Sequence, residues 1–224
     1  QPMGFYAPAQ IVRDAQENGV EVRPIDVNAS NWDNAIEQGA LRLGMRQIDG
    51  FRAVWAHAIA RHRPFASIED LARRAALPPA AVHLLADADA VRSLGFDRRE
   101  GAWEARRTPS DELPLFAAAN ARELGAEADA MLPAMPASEH VAADYQMTRL
   151  SLKGHPMQFL RGMFAHEGVL SCAEANVVKN GKRVRVAGVV LVRQRPGKGN
   201  AIFITIEDES GVTNILLWAR LFDR

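Results

Sequence analysis

At Lys182 the hydrophobic periodicity of this 224-residue chain changes from helical to alternating, and that change limits the folds open to it. Val184, Val186, Val190 and Val192 recur at even spacing from Arg183 to Arg193, as they would on one long half-buried strand. Arg183, Arg185 and Arg193 then fall on the opposite face. Pro196-Gly-Lys-Gly-Asn200 reads as a turn, and Ile202, Ile204 and Ile206 mark a second strand. Glu207-Asp-Glu-Ser-Gly211 is another turn, and Val212 to Trp218 is a third strand. Everything upstream is mainly helical. The expected class is therefore α+β: a helical portion followed by a partial antiparallel β-domain.

The helical portion is a series of short pieces. Residues 5–19 carry an apolar stripe of Ile11, Val12 and Ala15, with Gly19 as a C-cap. Val20–Val27 is extended, residues 28–38 are a polar loop, and Leu41–Arg46 alternates like a strand. From Gly50 to Ala105 the chain is rich in Ala and Arg, and Pro64, Pro78 and Pro79 punctuate it. Helices are expected near 52–61, 67–75, 79–85, 87–93 and from about 98, with Ser67 and Asp70 as a capping pair. Residues 108–138, with Pro109, Pro114, Pro133 and Pro136, read as a linker. Helices near 139–151 and 157–164 follow.

Bulk charge excludes little, because Lys+Arg and Asp+Glu are both 27. The lone Cys172 rules out a disulfide framework and a Cys-based zinc site, and fits a cytoplasmic location. No apolar run reaches the roughly 18 residues needed to cross a membrane, so no membrane partner is expected. The start at Gln1 and a buried strand so close to Arg224 lead us to expect a piece of a larger protein.

Three stretches could bind a ligand. In the first, Gln47-Ile-Asp-Gly-Phe-Arg52 runs straight into a helix, and Leu94-Gly-Phe-Asp-Arg-Arg99 repeats the arrangement. Amides at a helix N-terminus bind phosphate, because the unpaired donors and the helix dipole both favour an anion. Gly50 and Gly95 would make the turns, with Arg46, Arg52, Arg98 and Arg99 adding charge. The same residues also fit plain turns. In the second, Arg183, Arg185, Arg193, Arg195 and Lys198 accompany Phe203 and Trp218 on the meander. Cations tracking phosphates and rings stacking on bases suit single-stranded nucleic acid. A solvated basic face with Trp218 in the core is the plainer alternative. The third is Glu112-Leu-Pro-Leu-Phe116, whose Glu112, Leu113, Leu115 and Phe116 could be a peptide ligand for a groove or could dock on neighbouring helices. The six histidines are scattered, and no nucleophile, general base or metal cage is evident. No catalytic or metal site, and no cofactor, is expected in the chain itself.

The order Leu41-Arg-Leu-Gly-Met-Arg-Gln-Ile-Asp-Gly50, two Arg-rich hairpins, a Leu-Pro-Leu-Phe segment, Leu152-Lys-Gly-His-Pro-Met157 and an alternating tail resembles the C-terminal half of bacterial C-family DNA polymerase III alpha subunits. Gln1-Pro-Met-Gly-Phe-Tyr-Ala-Pro-Ala-Gln-Ile-Val-Arg-Asp-Ala15 and Val22-Arg-Pro-Ile-Asp-Val-Asn28 are similar to the error-prone, ImuC-type branch. The resemblance implies that residues 1–46 end the fingers domain and that 47–107 are a helix-hairpin-helix module gripping duplex backbone. It makes 108–138 a linker, 139–181 a helical connector, and 182–224 the first three strands of an OB-fold on single-stranded template.

The resemblance also implies DNA-directed polymerisation and lesion bypass in the SOS response for the parent, with Mg2+ held by palm residues upstream of this chain. Further implied partners are an ImuB-like accessory protein and the sliding clamp. Departures are plain: Gly50 is followed by Phe51 and Arg52 where the family's hairpin reads Gly-Val-Gly, the second hairpin keeps Gly95 alone, and Glu112 stands where the clamp peptide has Gln. A replicative alpha subunit and a non-enzymatic hairpin/OB adaptor are the alternatives.

Overall fold

The computed structural model describes residues 7–108, 132–197 and 199–222. It divides into two compact units, Gln1–Leu152 and Lys153–Arg224.

In the first unit, α1 (Pro8–Glu17) leads into a small sheet of β1 (Val22–Arg23), β2 (Ala35–Glu37) and β3 (Ala40–Arg42). β3 is central, parallel to β1 and antiparallel to β2. β2 lies inside the stretch expected to be a polar loop. Four helices follow: α2 (Ala53–His62), α3 (Ile68–Arg74), α4 (Pro79–Asp87) and α5 (Arg98–Arg107). Their starts obey capping chemistry. Ser67 Oγ accepts from Asp70 N–H at 3.0 Å, and Pro79 occupies the first turn of α4, where its missing N–H costs nothing. Asp97 and Glu100 form a reciprocal capping box at α5.

Sheet and helices share one core. Ile25, Val27, Leu43 and Met45 from the β-layer are buried with Ile59, Ile68, Leu71, Val82 and Leu85 from the helices. The seam expected between residues 46 and 47 therefore runs through continuous packing, and the connector expected over 139–181 is divided after Leu152.

The helix expected at 87–93 is absent. Asp89 takes a left-handed φ of 59°, and Ala90 carbonyl accepts from Val27 N–H at 2.8 Å. Ala90 and Val91 are fully buried, so the chain gives up helix there to bury them, and a 3-10 turn (Arg92–Leu94) leads to Gly95.

α6 (Ala137–Thr148) docks through a buried ion pair. Arg98 of α5 pairs with Asp144 of α6, and its Nη1 donates to the His140 carbonyl at 2.7 Å. Both partners are under a tenth exposed.

In the second unit, a 3-10 turn (Pro156–Phe159) capped by His155 precedes α7 (Arg161–His166), β4 (Val169–Leu170) and α8 (Cys172–Asn176). β5 (Arg185–Val186) pairs parallel with β4. β6 (Val189–Gln194), β7 (Ala201–Asp208) and β8 (Gly211–Trp218) make the expected antiparallel meander, and α9 (Ala219–Phe222) follows.

The single long strand expected over 183–193 is two strands, broken at Gly188. A Cβ there would lie 2.6 Å from the Glu207 carbonyl oxygen, so the close approach of the chains needs glycine. A register shift between Val190 and Val192 adds a bulge. Val190 pairs with Ile206 whereas Val192 pairs with Thr205, so the two valines face opposite sides of the sheet.

Asp208 holds this unit together. Its buried carboxylate accepts from Cys172 N–H at 2.7 Å, Arg161 Nη2 at 2.6 Å, and the Ser210 amide and hydroxyl. Burial pushes its pKa up, but the Ser210 hydroxyl, the two amides and Arg161 together hold it below the ordinary carboxylate value.

Two predictions follow from these buried carboxylates. Asp144→Ala strands the Arg98 guanidinium and is expected to cost about 3–5 kcal/mol in urea unfolding, whereas an apolar Arg98→Met/Asp144→Leu pair recovers most of the loss. A carboxylate held low in the fold contributes stability above its unfolded pKa, about 3.9, and loses that contribution as pH falls through its folded value. Asp208→Asn is therefore expected to lower stability at neutral pH and to flatten the acid side of the stability–pH curve, read by circular dichroism below about pH 5.

Candidate nucleic-acid interface

Two helix–glycine–helix turns were expected to behave alike, and they differ in how their amides are used. At the first, a 3-10 turn (Met45–Gln47) leads to Gly50 at φ 75°, and Arg52 is the N-cap of α2 without a side-chain cap. Phe51 N–H is taken by the Ile48 carbonyl at 3.1 Å, and Asp49 N–H by the Met147 carbonyl at 2.8 Å. In the first turn of α2, Trp55 N–H is taken by the Arg52 carbonyl at 3.1 Å, while the Ala53 and Val54 amides have no side-chain cap and open on a helix N-terminus. The exposed Arg52 guanidinium sits 5.0 Å from the centroid of the Trp55 ring, which holds it beside those amides. Arg149 pairs with Asp49 at 3.0 Å and braces the turn from α6.

At the second turn Gly95 takes φ 90°, but the α5 N-terminus is occupied. Asp97 Oδ1 accepts from Glu100 N–H at 2.8 Å, and Glu100 Oε2 accepts from Asp97 N–H at 2.9 Å. Two carboxylates stand where an anion would dock. Arg98 points inward to Asp144 and is 3% exposed, so it presents no charge to solvent. Arg99 is engaged by Glu139 at 2.8 Å and the Pro133 carbonyl at 2.7 Å. Of the other hairpin residues, Arg46 is exposed and paired with Asp33 at 2.6 Å. The structure thus brings Gly50, Arg52 and free amides together, and commits Arg98 and Arg99 elsewhere.

In the second unit, strand register sorts the expected residues onto two faces. Phe203 pairs across with Gln194 and Leu216, and Trp218 pairs with Ala201, so both rings lie on one face. They are 45% and 49% exposed, which takes Trp218 out of the core. Thr205 Oγ1 donates to Asn214 Oδ1 at 2.8 Å on the same face. Arg193 pairs with Ile204 and belongs to the opposite face, contrary to the expected alternation, because the bulge shifts parity by one.

Arg183 and Arg185 lie elsewhere, on an open groove of about 420 Å3 with Gly168, Leu170 and Val184. Arg195 Nε donates to the Gly199 carbonyl at 3.0 Å. Lys198 and the segment Glu112, Leu113, Leu115 and Phe116 lie outside the described residues.

Lys179 and Lys182, in the turn just before Arg183, were not singled out from sequence, although their spacing to Arg183 and Arg185 was a signal: four cations within seven residues, with no acid among them. Among the described residues there is no group of three or more His, Cys, Asp or Glu placed to hold a metal ion, and no helix long and apolar enough to cross a membrane.

Residues 19–101 match a family model described as a helix-hairpin-helix motif. That match begins well before residue 47 and takes in the small sheet, in keeping with the shared core. An error-prone DNA polymerase of Brucella abortus biovar 1 (strain 9-941) is 56% identical over 230 residues, covering 99% of this chain and 21% of the relative. One from Rhodopseudomonas palustris (strain HaA2) is 53% identical over 253 residues, covering 100% of this chain and 22% of the relative. One from Bradyrhizobium diazoefficiens is 46% identical over 285 residues, covering 100% and 25%. The chain spans about a fifth to a quarter of the length of the curated relatives it matches. Along essentially its whole length the chain is similar to a small part of proteins named error-prone DNA polymerases, and its residues 19–101 match the helix-hairpin-helix family model.

Proposed function

We propose that this chain is the DNA-holding, C-terminal portion of an error-prone DNA polymerase that acts in translesion synthesis and SOS mutagenesis in the cytoplasm. The uncapped N-terminus of α2, with Arg52 held over Trp55, is the observation that carries the reading. Free amides, a helix dipole and a fixed guanidinium are the components of a phosphate site, and they are sequence-independent, as a polymerase's grip on duplex must be. Residues 182–224 act as the first part of an OB-type module, with Phe203 and Trp218 as a stacking platform for single-stranded template.

The parent takes Mg2+ for two-metal nucleotidyl transfer on residues outside this chain. Contacts with the sliding clamp, through Glu112–Phe116, or with an ImuB-like accessory protein belong to the same reading. Similarity over the whole chain to proteins named error-prone DNA polymerases favours this branch over a replicative subunit or a free-standing adaptor.

Primer–template binding by the chain is expected to weaken steeply with salt, and Arg52→Ala should lower the magnitude of the slope of log K against log[KCl] by about 0.9, one duplex phosphate contact. Arg98→Met with Asp144→Leu should leave that slope unchanged. An Arg52→Ala slope equal to wild type would remove the hairpin from the interface. The chain alone should not extend a primer with dNTPs and Mg2+, and extension would overturn the division of labour.

A further inference from the structure

We propose that the groove between Gly168–Leu170 and Arg183–Arg185 is a phosphate site for the sugar–phosphate backbone of a single nucleic-acid strand. This rests on the nucleic-acid reading above, and adds to it a place and a chemistry away from the aromatic face of β7 and β8.

The parallel pairing of β4 with β5 builds the groove, setting Val169 opposite Arg185 and Leu170 opposite Val186. The Arg185 guanidinium is held in place, since its Nη2 donates to the Glu167 carbonyl. It lies over Gly168, 3.7 Å from where a Cβ would stand. A guanidinium carries five N–H donors in a planar fork, so anchoring one leaves others for an anion. Arg183, the second arginine lining the groove, is exposed and has no hydrogen bond or ion pair among the described residues. Lys179 and Lys182 stand on the turn that delivers it, also exposed and unpaired among the described residues.

Acids of this unit are largely engaged elsewhere: Glu174 caps α8 through Ser171, and Asp208 and Glu209 hold Arg161. Glu207 faces His155 at 3.7 Å. Among the described residues Glu167, exposed beside Gly168, is the one acid next to the groove, so the four cations of the 179–185 stretch outnumber it. Leu170 and Val184 give the groove apolar walls, which suit a sugar next to a phosphate better than a hydrated free anion. Two arginines with a fork geometry and a chain-like groove favour a phosphodiester.

The test uses the full chain and a labelled oligothymidine, with anisotropy read across a KCl series. Arg183→Ala should weaken binding several-fold and lower the magnitude of the salt slope by about 0.7, one single-strand phosphate contact. Arg106→Ala, an exposed arginine outside both sites, should change neither. Wild-type binding with an unchanged Arg183→Ala affinity and slope would overturn the groove and leave the nucleic-acid reading standing. No oligothymidine binding by wild type at low salt would overturn both. Inorganic pyrophosphate is the second arm. Pyrophosphate binding that Arg183→Ala abolishes, with oligothymidine binding left unchanged by the same substitution, would assign the groove to free phosphate and overturn the phosphodiester.

Discussion

The first unit depends on one irregular loop, Asp26–Asn31, and on the arginine that reads its carbonyls. Arg63 Nε donates to Val27 O at 2.8 Å and Nη1 to Ala29 O at 3.1 Å, and Nη2 donates to Ser30 O. Burial pulls the Arg63 pKa down, against the pull of Asp26 and Glu37, so the cation is retained in a half-dry site by backbone dipoles more than by a paired carboxylate. The loop then reaches three ways. Asn28 exchanges hydrogen bonds with the Phe65 backbone, Asp26 accepts from Ser93 N–H at 3.0 Å, and Ser30 donates to Leu43 O at 2.7 Å. It thereby joins the α2–α3 turn, the approach to the second hairpin and the end of β3. Buried backbone polar groups must find partners, and a loop inside a core is tolerated when its own side chains supply them.

Composition announces the short helices, but it does not announce that loop. Helix starts were legible because capping is local: Ser67–Asp70 and Asp97–Glu100 can be read within four residues. The loop's bonds span 37 and 67 residues, and no local pattern encodes them. The same limit applies to the hairpins. Gly50 and Gly95 look equivalent as letters and have the same left-handed backbone. What separates them is the next residue able to accept a hydrogen bond. Asp97 closes one helix end, while Arg52 cannot cap the other and leaves it open. Arg98 looked like a surface cation because its partner Asp144 is 46 residues away.

In the second unit the strands themselves were legible from Ile202, Ile204 and Ile206, because period-two alternation is a property of the backbone. The faces were legible only up to the bulge. One extra residue near Leu191 moves Arg193 to the isoleucine side and leaves Phe203 with Trp218 on the other. The break at Gly188 separates Arg185 from Arg193 again, onto β5 and β6, which lie in different sheets. A basic strand in the sequence is thus two separate basic positions in the fold.

Net charge was uninformative for a related reason. A total of zero describes the chain, whereas a ligand responds to charges that remain after internal pairing. Internal demands fall on both signs. Helix N-termini, buried amides and Arg161 absorb carboxylates such as Asp97, Glu100, Glu174, Asp208 and Glu209. Carbonyls and carboxylates absorb arginines as well, among them Arg42, Arg63, Arg74, Arg92, Arg98, Arg99 and Arg161. Carboxylates serve well as caps because they accept several N–H bonds at once, and arginine has no equivalent role at a helix start. A chain of short helices spends some of its acids on helix starts. It leaves cations such as Arg52, Lys179, Lys182 and Arg183 at its surface. The starts of α5 and α8 take up Asp97, Glu100 and Glu174 in this way, so a chain of zero net charge can still present at its surface bases such as Arg183, unpaired among the described residues.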